Sequence, residues 1–148
     1  MRSKTLGYTL VELMIVTAIL ATIATIAMAA YVNYVRTSQI SVIDAHFEVA
    51  ERFARYRYAQ AASEVATGVA PDPPVPNDAS GWIAIITDDA KMAPLGGPTY
   101  LPGSGDPVTG AIGIEATGSY LSGDSAIDIT RPAFKGAVER TVRISMGS

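Results

Sequence analysis

The chain has no cysteine, a single histidine and, in its first 67 residues, one glycine and no proline. Without cysteine there are no disulfides, no thiolate metal sites and no cysteine nucleophile. With His46 alone, a histidine-based metal centre lacks partners, and no metal or other cofactor is expected. His46 sits between Asp44 and Glu48 in a helical pattern, where it reads as a surface or groove residue rather than a base. Charge is also scarce, at 17% of residues with a formal net charge of −3. That balance offers no basic face for phosphate neutralisation, so direct nucleic-acid binding is not expected. No G-x-x-x-x-G-K-[ST] loop and no G-x-S-x-G elbow occurs. The chain lacks the constellation of an enzyme.

What it has in excess is apolar sequence near the amino terminus. From Leu13 to Ala30 the only polar residues are threonines. A helical threonine can bond its hydroxyl back to a preceding carbonyl, which lipid tolerates. These 18 residues rise about 27 Å as a helix, close to the roughly 30 Å of a bilayer core. Tyr31 and Tyr34 fit an interfacial aromatic belt, and Arg2 and Lys4 before the run favour a cytoplasmic amino terminus. Glu12 stands inside this region. A carboxylate costs about 2.5–3.5 kcal/mol at the centre of a membrane helix.

Three processing patterns fit the segment. A signal peptidase could cut near Ala27-Met28-Ala29, a small-x-small pattern. The helix could stay as an uncleaved anchor. A cut at Gly7 would instead leave the apolar helix on the mature chain. Glu12 discriminates among them, because a carboxylate there is useful when a positive charge must be met in an apolar surrounding. A new amino terminus on a neighbouring copy supplies such a charge.

The stretch G-Y-T-L-V-E-L-M-I-V, Gly7 to Val16, resembles the class III signal of type IV pilins and pseudopilins. The likeness covers residues 2 to 34. It implies cleavage after Gly7 by a prepilin peptidase, methylation of the new terminus at Tyr8, and Glu12 as the assembly glutamate. Arg2 and Lys4 match the leader that the peptidase recognises. By the same resemblance, Glu12 would pair with the Tyr8 ammonium of an adjacent subunit and so select the stagger between subunits. The family usually begins its mature chain with phenylalanine; Tyr8 keeps the ring and adds a hydroxyl. Many major pilins carry glycine near Ala21 and proline near Ala29. Alanine at both positions predicts a more continuous helix.

Between Tyr8 and Thr67 there is no helix breaker. Ile40, Ile43, Phe47, Ala50, Ala54, Ala61 and Val65 recur at helical spacing, and predict a face packed on a sheet. Glu48 with Arg52 and Glu51 with Arg55 are favourable i, i+4 pairs. With Arg57 they read as a solvated, salt-bridged face rather than an anion-binding patch. After Gly68 comes a Pro-rich connector, then W-I-A-I-I at 82–86, which fits a short helix capped by Asn77, Asp78 or Ser80 and, nearly as well by periodicity alone, a buried strand. Residues 93–110 read as a turn-rich loop; L-P-G-S-G at 101–105 within it lacks the hydrophobic tail of a sortase signal. Runs at 111–116, 125–130 and 138–145 predict an antiparallel meander, with Ile127 and Ile129 on one side and Val138, Val142 and Ile144 on the packed side of the last run.

The expected fold is α+β and pilin-like, a long amino-terminal helix on a small antiparallel sheet. Its parts are a leader at 1–7, a membrane and filament-core helix at 8–35, an amphipathic helix at 36–67 and a head at 68–148. The resemblance implies a structural subunit of a type IV pilus-like filament. Its partners would be identical subunits, prepilin peptidase, an assembly platform and an ATPase. It would reside in the inner membrane first and in an extracellular filament afterwards. The alternatives are a pseudopilin of a type II secretion or DNA-uptake machine and, in a different class, a secreted or anchored binding domain. Some pseudopilins bind calcium in head loops, but Asp88, Asp89, Asp106 and Asp124 form no D-x-[DN]-x-[DN]-G loop and read as turn residues. The tyrosines at 8, 31, 34, 56 and 58 invite an electron-conduction idea, but interfacial anchoring and packing explain them at least as well, and conduction is set aside.

Overall fold

The computed structural model describes residues 8–87 and 92–146. Its longest element is α1, Leu10–Ala66, a single helix of 57 residues that rises about 86 Å. It runs unbroken through Ala21 and Ala29, as alanine at these positions predicts. Its end is built by Gly68, which adopts φ +77°. The Gly68 amide reaches the Val65 carbonyl at 2.9 Å and the Val69 amide reaches Glu64 at 2.9 Å. These are the paired bonds of a Schellman stop. The chain forms two compact units, Met1–Ser38 and Gln39–Ser148.

The second unit holds the core. Ile43, Phe47, Ala50, Ala54, Tyr58 and Ala61 of α1 join Ile112, Ile114, Ile127, Ile129 and Ile144 of the sheet in one buried cluster. The three alanines are fully buried, and their small side chains let the helix lie close to its neighbours. Each fully buried isoleucine or phenylalanine contributes about 1.5–3 kcal/mol. W-I-A-I-I forms part of a helix, α2 (Ala79–Ile86), whose first turn follows Asp78. Trp82 enters the core completely, with its ring centroid 5.3 Å from that of Tyr58.

The sheet contains β1 (Tyr100–Pro102), β2 (Gly105–Asp106), β3 (Ala111–Thr117), β4 (Ala126–Arg131) and β5 (Arg140–Ser145). β3, β4 and β5 make the expected antiparallel meander. The stretch expected to be only loop adds two short strands. β1 pairs parallel with β3, and β2 pairs antiparallel with it, so the sheet is mixed. Gly113 permits this close stacking, since a Cβ there would stand 2.2 Å from the Gly103 carbonyl oxygen and 2.3 Å from the Gly105 nitrogen.

Three side chains depart from the expected pattern. Val138 lies between the 134–137 turn and β5 and is 78% exposed, and Val65 is exposed at the carboxyl-terminal end of the helical stripe. Arg57 is not on a solvated face; it is 3% exposed. Its Nη1 lies 3.7 Å from Glu64 Oε2, and none of its nitrogens makes a hydrogen bond. Of the two predicted helical pairs, Arg55 meets Glu51 at 3.0 Å, whereas Arg52 Nε donates to the Glu48 main-chain carbonyl at 3.3 Å.

A buried ion pair is costly to break from one side, while an apolar replacement can be neutral. Arg57→Met is therefore expected to leave stability unchanged or raise it. Glu64→Ala should lower it by up to about 3 kcal/mol, because the buried guanidinium loses its partner. Urea unfolding of the two variants in detergent micelles compares them directly. A second expectation concerns alkali. Burial pushes the Tyr100 hydroxyl up to about 12, above the ordinary value near 10. The stabilisation linked to its bound proton is complete below about pH 10 and is lost as pH rises through its folded value. Unfolding midpoints measured from pH 8 to 12 should fall above pH 10, and less steeply in Tyr100→Phe.

Candidate functional site

The first unit presents apolar side chains that no other described residue covers. The most apolar 18-residue window of α1 has mean hydropathy 2.3 and no buried residue. Leu10 and Ile26 are each 75% exposed, and Leu13, Ile15, Ile19 and Ile23 are more than half exposed. A continuous apolar surface of this extent requires a membrane or a partner. The helix satisfies its own polar groups, as lipid demands. The hydroxyls of Thr17, Thr22 and Thr25 donate to the carbonyls of Leu13, Ile19 and Thr22 at 2.8–3.0 Å.

At its start, Tyr8 is exposed and precedes the helix. Thr9 Oγ1 accepts a hydrogen bond from the Glu12 amide at 3.2 Å. Thr9 thus occupies the capping position, and Glu12 stands in the first turn, where the helix dipole favours a carboxylate. The cap went unread in the sequence, although T-x-x-E before an apolar run signals it. Gly7, Arg2 and Lys4 lie outside the described residues.

A second apolar strip was also missed. On the half of α1 that carries the head core, Val42, Val49 and Tyr56 remain partly or largely exposed. Val49, Arg52, Phe53 and Tyr56 line an open groove. The signal was the seven-residue spacing of Val42, Val49 and Tyr56.

The remaining candidates are absorbed by local structure. Asp106 accepts from the Val108 amide at 2.8 Å and from the Thr109 hydroxyl at 2.7 Å. Asp124 accepts from the Ser119 amide at 2.9 Å and the Ser122 hydroxyl at 2.6 Å. These bonds hold both carboxyls below the ordinary aspartate range. Asp88 and Asp89 lie outside the described residues. Among the described residues, no three histidine or carboxylate side chains gather as metal ligands. In the stretch Leu101 to Gly105, the first two residues end β1, Gly103 and Ser104 make the tight connection, and Gly105 begins β2. His46 is half-buried, and its carbonyl accepts from the Tyr100 hydroxyl at 3.0 Å.

Residues 2–28 match the family model described as the prokaryotic N-terminal methylation motif. This motif is the class III signal peptide of type IV pilins and pseudopilins, and its match over residues 2–28 supports a pilin-like or pseudopilin precursor. The α1 helix and its small sheet form the matching α+β, pilin-like arrangement. Searches of curated proteins and of solved structures each give no significant match. Proteins bearing the motif are structural rather than catalytic.

Thr9→Ala should lower helix-start stability by about 1 kcal/mol. Amide exchange of Val11 and Glu12 in micelles should quicken accordingly, while exchange beyond Thr17 stays unchanged.

Proposed function

We propose that the chain is a structural subunit of a type IV pilus-like filament. A prepilin peptidase that recognises the Arg2 and Lys4 leader cuts after Gly7, and Tyr8 becomes the methylated terminus. The subunit waits in the inner membrane, where an assembly platform and ATPase draw it into an extracellular polymer. The observation that carries this reading is the uncovered apolar half of α1 directly behind a methylation motif. Removal of Arg2 and Lys4 takes the formal side-chain charge from −3 to −5, which leaves an acidic mature subunit.

In the polymer, hydrophobic contact between α1 helices supplies the attraction. Glu12 supplies register, because a buried carboxylate without its ammonium partner costs several kcal/mol. The strip at Val42, Val49 and Tyr56 lets the same contact continue beyond the membrane half. A pseudopilin role in a secretion or DNA-uptake machine is the second reading. The unbroken course of α1 at Ala21 and Ala29 favours it, since many major pilins interrupt the helix there.

Glu12 has two roles available, charge pairing and support of the helix start. Glu12→Gln keeps an amide acceptor in the first turn and removes the charge. Under the pairing role, Glu12→Gln and Glu12→Ala both reach the membrane and both abolish filaments in a shearing assay. Filaments from Glu12→Gln would assign the residue to capping. Intact mass should show a chain starting at Tyr8 with one added methyl group. A start near Ala30 would instead identify an ordinary signal peptide and end the filament reading.

A further inference from the structure

The sheet ends on two edges of different character. On one side lies β1, three residues long and closed by Pro102, on the same flank of β3 as the two-residue β2. Shortness and proline keep an edge from pairing. On the other side lies β5, six residues without glycine or proline. The Met146 amide donates to the Ser125 carbonyl at 3.1 Å, which continues the β4–β5 register by one pair. Hydrogen-bonded pairs alternate along an antiparallel ladder. The amides and carbonyls of Ile144, Val142 and Arg140 therefore face β4, and those of Thr141 and Arg143 face away from it. Both Thr141 and Arg143 are exposed.

Charged side chains often guard such an edge, but the arginines of β5 lie over the faces of the sheet. The Arg140 guanidinium stands 5.1 Å from the centre of the Phe47 ring. Arg143 reaches across the outer face to Asp128 and Thr117, each at 3.4 Å. A groove of about 310 Å³ accompanies the end of the strand, lined by Arg55, Tyr58, Ala59 and Ala62 of α1 and by Ile144 and Met146. No β4 residue lines it, so it opens on the unpaired side of β5. The small side chains of Ala59 and Ala62 give it room.

The outermost charges along this edge are positive. The Arg55 side chain is 54% exposed and that of its partner Glu51 21%. Arg143 is 62% exposed and its partner Asp128 22%. In each pair the guanidinium is the member more open to solvent. The exposed Glu139 precedes the strand and its outward amides.

We propose that the free edge of β5 docks an extended acidic segment of a partner protein, which adds a strand to the sheet. The main chain of that segment bonds Thr141 and Arg143. Its side chains alternate between the two faces. Those on the helix side are small or apolar and enter the groove beside Ala59 and Ala62. Those on the outer face are carboxylates that meet Arg143. A second β5 is a poorer occupant, because it would bring the arginines of both copies together along one edge.

The test is amide hydrogen exchange by NMR on the full chain in detergent micelles. The probe is a pool of capped hexapeptides with glutamate at every second position and alanine, valine or leucine between. A matching pool with lysine in place of glutamate is the control. In the free chain the Thr141 and Arg143 amides should exchange fast, and those of Val142 and Ile144 slowly. The glutamate pool at millimolar concentration should slow Thr141 and Arg143 at least tenfold and leave Val142 and Ile144 unchanged. Thr141→Pro removes an outward amide that β4 does not use, and it should abolish the effect at Arg143 while Trp82 fluorescence stays native. Slow exchange of Thr141 and Arg143 in the free, dilute chain overturns the proposal, since the edge is then already covered. Protection that grows with protein concentration alone assigns the edge to a second copy and also overturns it. So does equal protection by the lysine pool, or none by the glutamate pool. These outcomes are read on the unaltered chain and stand even if Thr141→Pro fails to fold.

Discussion

The structure depends on one constraint: an α-helix whose apolar amino-terminal half is not buried by any other described residue. Water makes that surface unfavourable, and lipid or other copies of the helix relieve it. Every backbone group in such a segment must be satisfied from within, which a helix alone can do in a single span. Absence of glycine and proline between Tyr8 and Thr67 keeps the hydrogen-bond ladder continuous. Threonines spend their hydroxyls on their own helix, and Thr9 closes its open end. The segment thus asks nothing polar of its surroundings except at Glu12.

The same helix supplies the wall of a water-exposed head. There the apolar positions narrow to one stripe, and alanines at 50, 54 and 61 bring the backbone close to the other core elements. The head fills the remaining space with isoleucines from three antiparallel strands and with Trp82. In its loops, Asp106 and Asp124 are held by local amides and hydroxyls and so shape turns. A long helix and a small loop-rich head form a scaffold suited to being repeated, in keeping with the structural character of proteins that bear the methylation motif.

Long-period and strongly signalled features were legible in the sequence. The helix from residue 10 to 66, its stop at Gly68, the three-strand meander and the methylation signal all follow from local chemistry. Each is a repeated or multiply marked pattern: apolar residues every third or fourth position, alternation in strands, a leader with glycine, ring and carboxylate at set spacing. α2 was ambiguous because five apolar residues fit a buried helix and a buried strand alike; packing of Trp82 against Tyr58 accompanies the helix.

Tertiary structure alone decided the rest. β1 and β2 are too short and too rich in glycine and proline to announce themselves, and they exist because β3 offers a free edge that Gly113 leaves unobstructed. Arg57 looks on the sequence like its neighbours Arg52 and Arg55, but helix rotation turns it inward, towards Glu64 two turns later. Val138 lies two residues before β5, outside its pairing with β4, and is exposed. In each case the local pattern permitted two outcomes, and the choice came from which surface a distant segment left open.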